Sequence, residues 1–169
     1  MMKHRFVAID PGATGGIVWY DDSNLLISRN MPDSLEGFIS ILRSLGGYTV
    51  YLENVGTYMP GNSGPAAVTF ARHCGQIDGV LETLGMKTIR VRPQEWMKSM
   101  PLTKFDPIPR NTPEADRKKE LGKRKIVRKN EIKEYVAARF PLVKVTLKNS
   151  DSLGLLLYAT TKAEEELPL

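Results

Sequence analysis

Short apolar runs broken by turn residues dominate the first third of the chain. Arg5 to Asp10 reads RFVAID, an apolar run with aromatic and β-branched residues ended by Pro11-Gly12, and it predicts a buried strand. Gly15-Gly16 then leads through a tight turn into Ile17 to Tyr20, a second strand. The cluster Asp21-Asp22-Ser23-Asn24 marks a turn into a third strand at Leu25 to Ser28, completing an antiparallel meander.

The apolar period then changes. Leu35, Phe38, Ile39, Leu42 and Leu45 fall at helical spacing behind Asp33 and Glu36, which are spaced as a capping box, and Gly46-Gly47 stops the helix. Thr49 to Glu53 is a fourth strand, reached through a helix and so expected parallel to the first. After a Gly/Pro/Asn loop at 54–64, helical spacing returns from Pro65 to Leu84. Lys87 to Val91 is a fifth strand, and a short helix begins at Pro93. Residues 101–116, with four prolines, read as an exposed insertion. A basic helix from about Lys118 to Phe140, interrupted near Gly122, runs to Pro141. Val143 to Leu147 reads as extended, and Asp151 to Glu165 forms a last helix with an apolar start. There is no internal repeat.

The length of 169 residues suits one domain, spanning 1–169 and carrying a basic insertion at about 101–133. No apolar run approaches the ~20 residues that cross a bilayer, and the first ten residues do not supply a signal-peptide core. A single cysteine, Cys74, excludes an internal disulfide framework and a cysteine-based zinc site. The expected setting is the cytosol, or the cytosol of an infected host.

Charge changes the picture through its distribution. Residues 1–85 hold 5 basic and 8 acidic side chains, residues 86–148 hold 18 and 7, and residues 149–169 hold 1 and 4. A basic centre between acidic ends points to a polyanion partner, and nucleic acid is the commonest. Residues 117–133 concentrate the effect: Arg117, Lys118, Lys119, Lys123, Arg124, Lys125, Arg128, Lys129 and Lys133 stand against two acids. A solvated helix face is the ordinary reading of such a run, but nine against two exceeds what solubility requires, and contact with a DNA backbone is expected.

The candidate chemistry lies in carboxylates. Asp10 closes the first strand and Glu53 the fourth. If those strands are parallel neighbours, both acids emerge at the carboxyl edge of the sheet, where α/β folds bind ligands. Asp151 opens a helix able to pack beside that edge. Three converging carboxylates repel unless cations lie between them, and hard oxygen ligands suit Mg²⁺ or Mn²⁺. Two such ions about 4 Å apart support in-line phosphodiester hydrolysis.

The stretches AIDPGATGGIVWY at 8–20, YLENVG at 51–56, VRPQEWMK at 91–98 and SDSLGLLLYA at 150–159 resemble the RuvC-type Holliday-junction resolvases, especially their phage-encoded branch. The resemblance spans nearly the whole chain. It implies an α/β, ribonuclease-H-like mixed five-stranded sheet flanked by helices, a homodimer, divalent metal (Mg²⁺ or Mn²⁺, two ions per site) and cleavage of branched DNA. No small-molecule cofactor and no membrane partner are expected. It assigns Asp10, Glu53 and Asp151 to metal binding and catalysis. In one place the chain departs from the pattern. The family usually carries a further acid, sometimes His, three residues before the last-helix Asp, and Lys148 stands there. An ammonium cannot ligate a metal; Asn149 or Ser150 offers a neutral oxygen at a different offset.

Other residues have weaker claims. Tyr58 and Met59, in the loop bordering the expected active edge, are candidates for stacking on opened bases or for an unremarkable connector. Lys98 and Lys104 are candidates for phosphate contact. Trp96 reads as core, and His73 and Cys74 as satisfied structural residues on a helix. Two other functions remain open: a branched-DNA-binding protein with impaired catalysis, and a nucleotide-binding protein of the sugar-kinase/actin type. The latter also uses a first-strand Asp-x-Gly turn but needs two such domains.

Overall fold

The computed structural model describes residues 5–56 and 64–166. Five strands, β1 (Phe6–Asp10), β2 (Gly16–Tyr20), β3 (Leu26–Asn30), β4 (Thr49–Glu53) and β5 (Thr88–Val91), form one mixed sheet in the order β3-β2-β1-β4-β5. β1 runs antiparallel to β2 and parallel to β4, with Ile9 opposite Leu52, and β4 runs parallel to β5. The helices are α1 (Leu35–Ser44), α2 (Gly64–Thr83), α3 (Pro93–Met97), α4 (Glu114–Arg139) and α5 (Ser150–Glu165). This is the mixed five-stranded, helix-flanked sheet of the ribonuclease-H-like class.

The period-two alternation of the strands divides the interior into two cores. Val7, Ile9, Val50 and Leu52 face α1 and α2, where they meet Phe38, Leu42, Ile77 and Leu81. Ala8 and Tyr51 face the other way, onto Trp96 of α3, Ile132 and Val136 of α4, and Leu153 and Leu156 of α5. Asp10 and Glu53 share the parity of Ala8 and Tyr51. The alternation that builds the cores therefore turns both acids toward the α3–α5 layer.

Several boundaries differ from the sequence expectation, each for a local reason. The cap of α1 is Ser34, whose Oγ accepts from Gly37 N at 3.1 Å, so Asp33 is not the capping residue. β3 begins at Leu26 rather than Leu25, because Asp21 Oδ1 accepts from the backbone N of both Ser23 and Leu25 and keeps Leu25 in the turn. Residues 143–147 form no strand. The basic helix starts at Glu114 and passes through Gly122 without a break. A lone glycine costs a helix about 1 kcal/mol, which the contacts described below offset.

Candidate metal and nucleic-acid site

The first carboxylate is placed by a turn with no room for side chains. Gly12 has φ +110°, and a Cβ at Gly15 would lie 2.1 Å from the Asp10 carbonyl oxygen. The turn closes through backbone, Gly15 N donating to Gly12 O at 3.0 Å. The Asp10 side chain is thus free to face Glu53, which ends the neighbouring parallel strand. The two carboxyls act on each other, their mutual interaction raising Asp10 and partly opposing the rise at Glu53. Glu53 also accepts from the indole Nε1 of Trp96 at 3.0 Å. Asp151, in the first turn of α5, acts electrostatically on both.

Burial dominates the protonation of this cluster. It pushes Asp10 up to about 9, with the negative charges of Glu53 and Asp151 adding to the effect. It pushes Glu53 up to about 7, with Asp151 reinforcing it and the Trp96 hydrogen bond opposing. Asp151 is raised by the same desolvation. One cation opposes the rise at all three: Lys129 of α4.

Lys129 was expected among the DNA-contacting residues but not beside the carboxylates. The signal for it lay in the helical period, since Lys129 precedes the buried Ile132 and Val136 by three and seven positions and shares their face. Trp96 is core, as expected, and 1% exposed. Its role at Glu53 follows from the rule that a buried indole N–H requires an acceptor.

The three neighbours expected near Asp151 do different things. Lys148 is exposed, its N donating to Thr146 Oγ1 at 3.3 Å. Asn149 is buried and occupied by structure: Oδ1 accepts from Thr146 N (2.7 Å) and Oγ1 (3.1 Å), and Nδ2 donates to Ser28 Oγ (3.0 Å) and Lys144 O (3.1 Å). Ser150 Oγ donates to Asp151 Oδ1 at 3.3 Å, which helps hold that carboxylate.

Among the described residues, no three His, Cys, Asp or Glu side chains lie close enough to share an ion as placed. The donor set nevertheless fits a hard divalent cation. Three mostly buried carboxylates against one ammonium leave two negative charges when fully ionised, the charge that one such ion neutralises.

The remaining candidates scatter. Lys119, Lys123 and Lys125 are exposed along α4, as is Lys118, which pairs with Glu114 at 2.8 Å. Arg124 and Arg128 are half-buried by contacts within the protein. Lys98 lies beside Lys162, eleven residues along α5 from Asp151, or about 16 Å of helix. It does not join the carboxylates. Lys104 is exposed on the segment before α4. Tyr58 and Met59 lie outside the described residues. The Nε2 atom of His73 is buried without a hydrogen-bond partner among them, contrary to the expectation of a satisfied residue. Cys74 borders a cavity of about 100 Å³ behind Glu53, beside the Arg90–Asp78 ion pair.

The five-stranded sheet in the order β3-β2-β1-β4-β5, flanked by helices, is a ribonuclease-H-like fold. Solved structures agree. The chain is similar over 95% of its length to Thermus thermophilus RuvC in complex with a Holliday junction substrate, with a TM-score of 0.58, 12% identity and 96% of that chain covered. It is similar to a second T. thermophilus RuvC structure with a TM-score of 0.54, 14% identity and 95% of each chain covered. No protein-family model matches the chain, and no curated protein matches it. Among the described residues, no helix is long and apolar enough to cross a membrane.

Proposed function

We propose that this chain is a metal-dependent endonuclease that cleaves branched DNA, four-way junctions in particular, by hydrolysis of phosphodiesters. The observation that carries this reading is the electrostatic coupling of Asp10, Glu53 and Asp151 beside one sheet edge, on a fold shared with a protein solved on a Holliday junction. Asp10, Glu53 and Asp151 would hold Mg²⁺ or Mn²⁺, which supplies Lewis acidity for phosphodiester hydrolysis. The charge balance of the free site accommodates one ion beside Lys129; a second becomes affordable when a scissile phosphate adds its own negative charge. Trp96 keeps Glu53 oriented and favours its ionised form. Lys129 stands where it can hold a phosphate next to the carboxylates, and the lysines of α4 lead a DNA backbone toward them.

Paired cleavage of a junction requires two such sites, so a homodimer is the working assembly, acting in the cytosol of a bacterium or of a phage-infected cell. The sequence motifs favour the phage-encoded branch. The decisive test is cleavage of a synthetic four-way junction beside a linear duplex of the same sequence, with Mg²⁺ and with Mn²⁺. Selective cleavage that is abolished by Asp10→Asn, with junction binding retained, supports the reading. Binding without cleavage in either metal establishes a non-catalytic junction binder instead.

A further inference from the structure

Residues 101–113 contain no helix or strand, yet they lie along one stripe of α4. Thr103 donates through its N to both carboxylate oxygens of Glu131, at 3.2 Å each, and through Oγ1 to the same carboxylate. Arg128 Nη2 donates to Thr103 O at 2.7 Å, and Arg124 Nη1 donates to Asp106 O at 2.6 Å. The Phe105 ring receives both guanidinium groups, its centroid 5.1 Å from Arg124 Cζ and 5.4 Å from Arg128 Cζ. Glu120 completes the stripe by accepting from Arg124 Nε at 2.8 Å. Positions 120, 124, 128 and 131 recur at helical spacing, so this is one continuous face.

The other end of the argument is what α4 lacks. Its buried residues, Ile132 and Val136, are confined to its C-terminal half. From Glu114 to Val127 no residue is buried; Leu121, Ile126 and Val127 are exposed, and Gly122 sits in open space. A stretch of that length containing a glycine is marginal as a helix in water. Among the described residues, the hydrogen bonds and ring contacts that tie it to the rest of the protein come from 101–113.

We propose that residues 101–113 are a positioning strap that keeps the N-terminal half of α4 helical. In this arrangement Phe105, Arg124 and Arg128 are its clamp, and Lys119, Lys123, Lys125 and Lys129 are left to meet a nucleic-acid backbone. The clamp stands on contacts within the free protein; the role of the lysines rests on the proposed function above. Two of the nine basic residues of the run are thereby reassigned from ligand to scaffold. An arginine suits this work and a lysine does not, because the guanidinium donates in a fork to a carbonyl and a carboxylate while its flat face covers a ring.

Amide hydrogen exchange on the full chain without DNA tests the clamp. Phe105→Ala is expected to speed exchange at 117–128 at least tenfold while 132–139 keep their protection. Phe105→Trp should retain it, and Arg124→Lys, which keeps the charge, should lose it. Slow exchange at 117–128 in both Phe105→Ala and Arg124→Lys overturns the strap. The salt dependence of binding to a synthetic four-way junction then tests the lysines. Lys123→Gln and Lys125→Gln should each flatten the log–log slope by about one, with amide exchange unchanged. An unchanged slope in both overturns that assignment. If the exchange results hold but the unaltered protein does not bind the junction, the strap stands and the proposed function falls.

Discussion

Replacing Trp96 by Phe is the most searching single perturbation of the site, because it removes one donor and keeps a ring. The indole Nε1–H lies 3.0 Å from Glu53 Oε1 in a buried setting. A hydrogen bond to a charged acceptor contributes about 1.5–3 kcal/mol. At 1.36 kcal/mol per pKa unit, its loss raises the Glu53 carboxyl by roughly one to two units. The direction is fixed by the present balance, in which burial has already lifted Glu53 to about 7 and the Trp96 bond holds it down. A divalent ion competes with that proton, so at pH 7, where Glu53 is already about half protonated, the variant should bind Mn²⁺ roughly 5- to 50-fold more weakly. The pH midpoint of binding should move upward by the same one to two units. Titration calorimetry across pH 6–9 measures both, and circular dichroism verifies that the variant folds. In a Glu53→Gln background the substitution should leave the pH profile unmoved, since the group it acts through no longer titrates. A Trp96→Phe profile superimposable on that of the unaltered protein would falsify the coupling.

Three further outcomes follow from the same geometry. Asp10 and Glu53 both titrate well above their unfolded values, so the unfolded chain ionises first. Without metal, stability should therefore be greatest below about pH 4 as far as these groups are concerned, and should fall as pH rises to about 9. Asp10→Asn should be the more stable protein at pH 8, by an order of a few kcal/mol in urea unfolding, with the difference vanishing near pH 4. Gly154→Ala would place a Cβ 2.8 Å from Trp96 Cζ3 and 2.9 Å from Met100 Cε. It should cost about 1–3 kcal/mol in denaturant unfolding and weaken Mn²⁺ binding through the displaced indole. Lys129→Gln should raise the pH midpoint of Mn²⁺ binding, because it removes the cation that opposes protonation at all three carboxylates.

The arrangement of strands, and the placement of Asp10, Glu53 and Asp151 about one edge of it, were legible because they depend on local pattern. Turn residues delimit β1 and β4, a helix between them forces the parallel relation, and period-two parity sends Asp10 and Glu53 to one side. Features that depend on partners far apart in sequence were not legible in the same way. Trp96 and Glu53 are 43 positions apart, so apolar pattern identifies the indole as buried without naming its acceptor. Gly122 reads as a break because propensity sees only neighbours, whereas the clamp from 101–113 acts from about 20 residues away. The charge count over 117–133 was informative in total and misleading in detail, since it weighs Arg124, held against Phe105, the same as the exposed Lys125.

Lys148 is the position where the resemblance to resolvases fails, and its placement says what restoring an acid should do. Asn149 ties the turn before α5 to β3 through Ser28 and to the preceding chain through Thr146 and Lys144. Those bonds fix how the chain enters α5, and so where Asp151 stands, but they also leave Asn149 with no atom for an ion. Position 148 lies on the outer side of that turn, exposed, and the cation acting on the carboxylates is Lys129 instead. Exposed charges interact with a neighbour by about 0–1 kcal/mol. Lys148→Asp should therefore tighten Mn²⁺ binding by no more than about fivefold, and should leave junction cleavage dependent on Asp10 as before. The measurement is a Mn²⁺ titration of both proteins alongside single-turnover cleavage. A hundredfold gain in affinity would mean that the turn rearranges to bring position 148 into the site. An unaltered protein inert with both Mg²⁺ and Mn²⁺ but revived by Lys148→Asp would mean that three carboxylates do not suffice, and that in this chain the edge of the sheet binds junctions without cutting them.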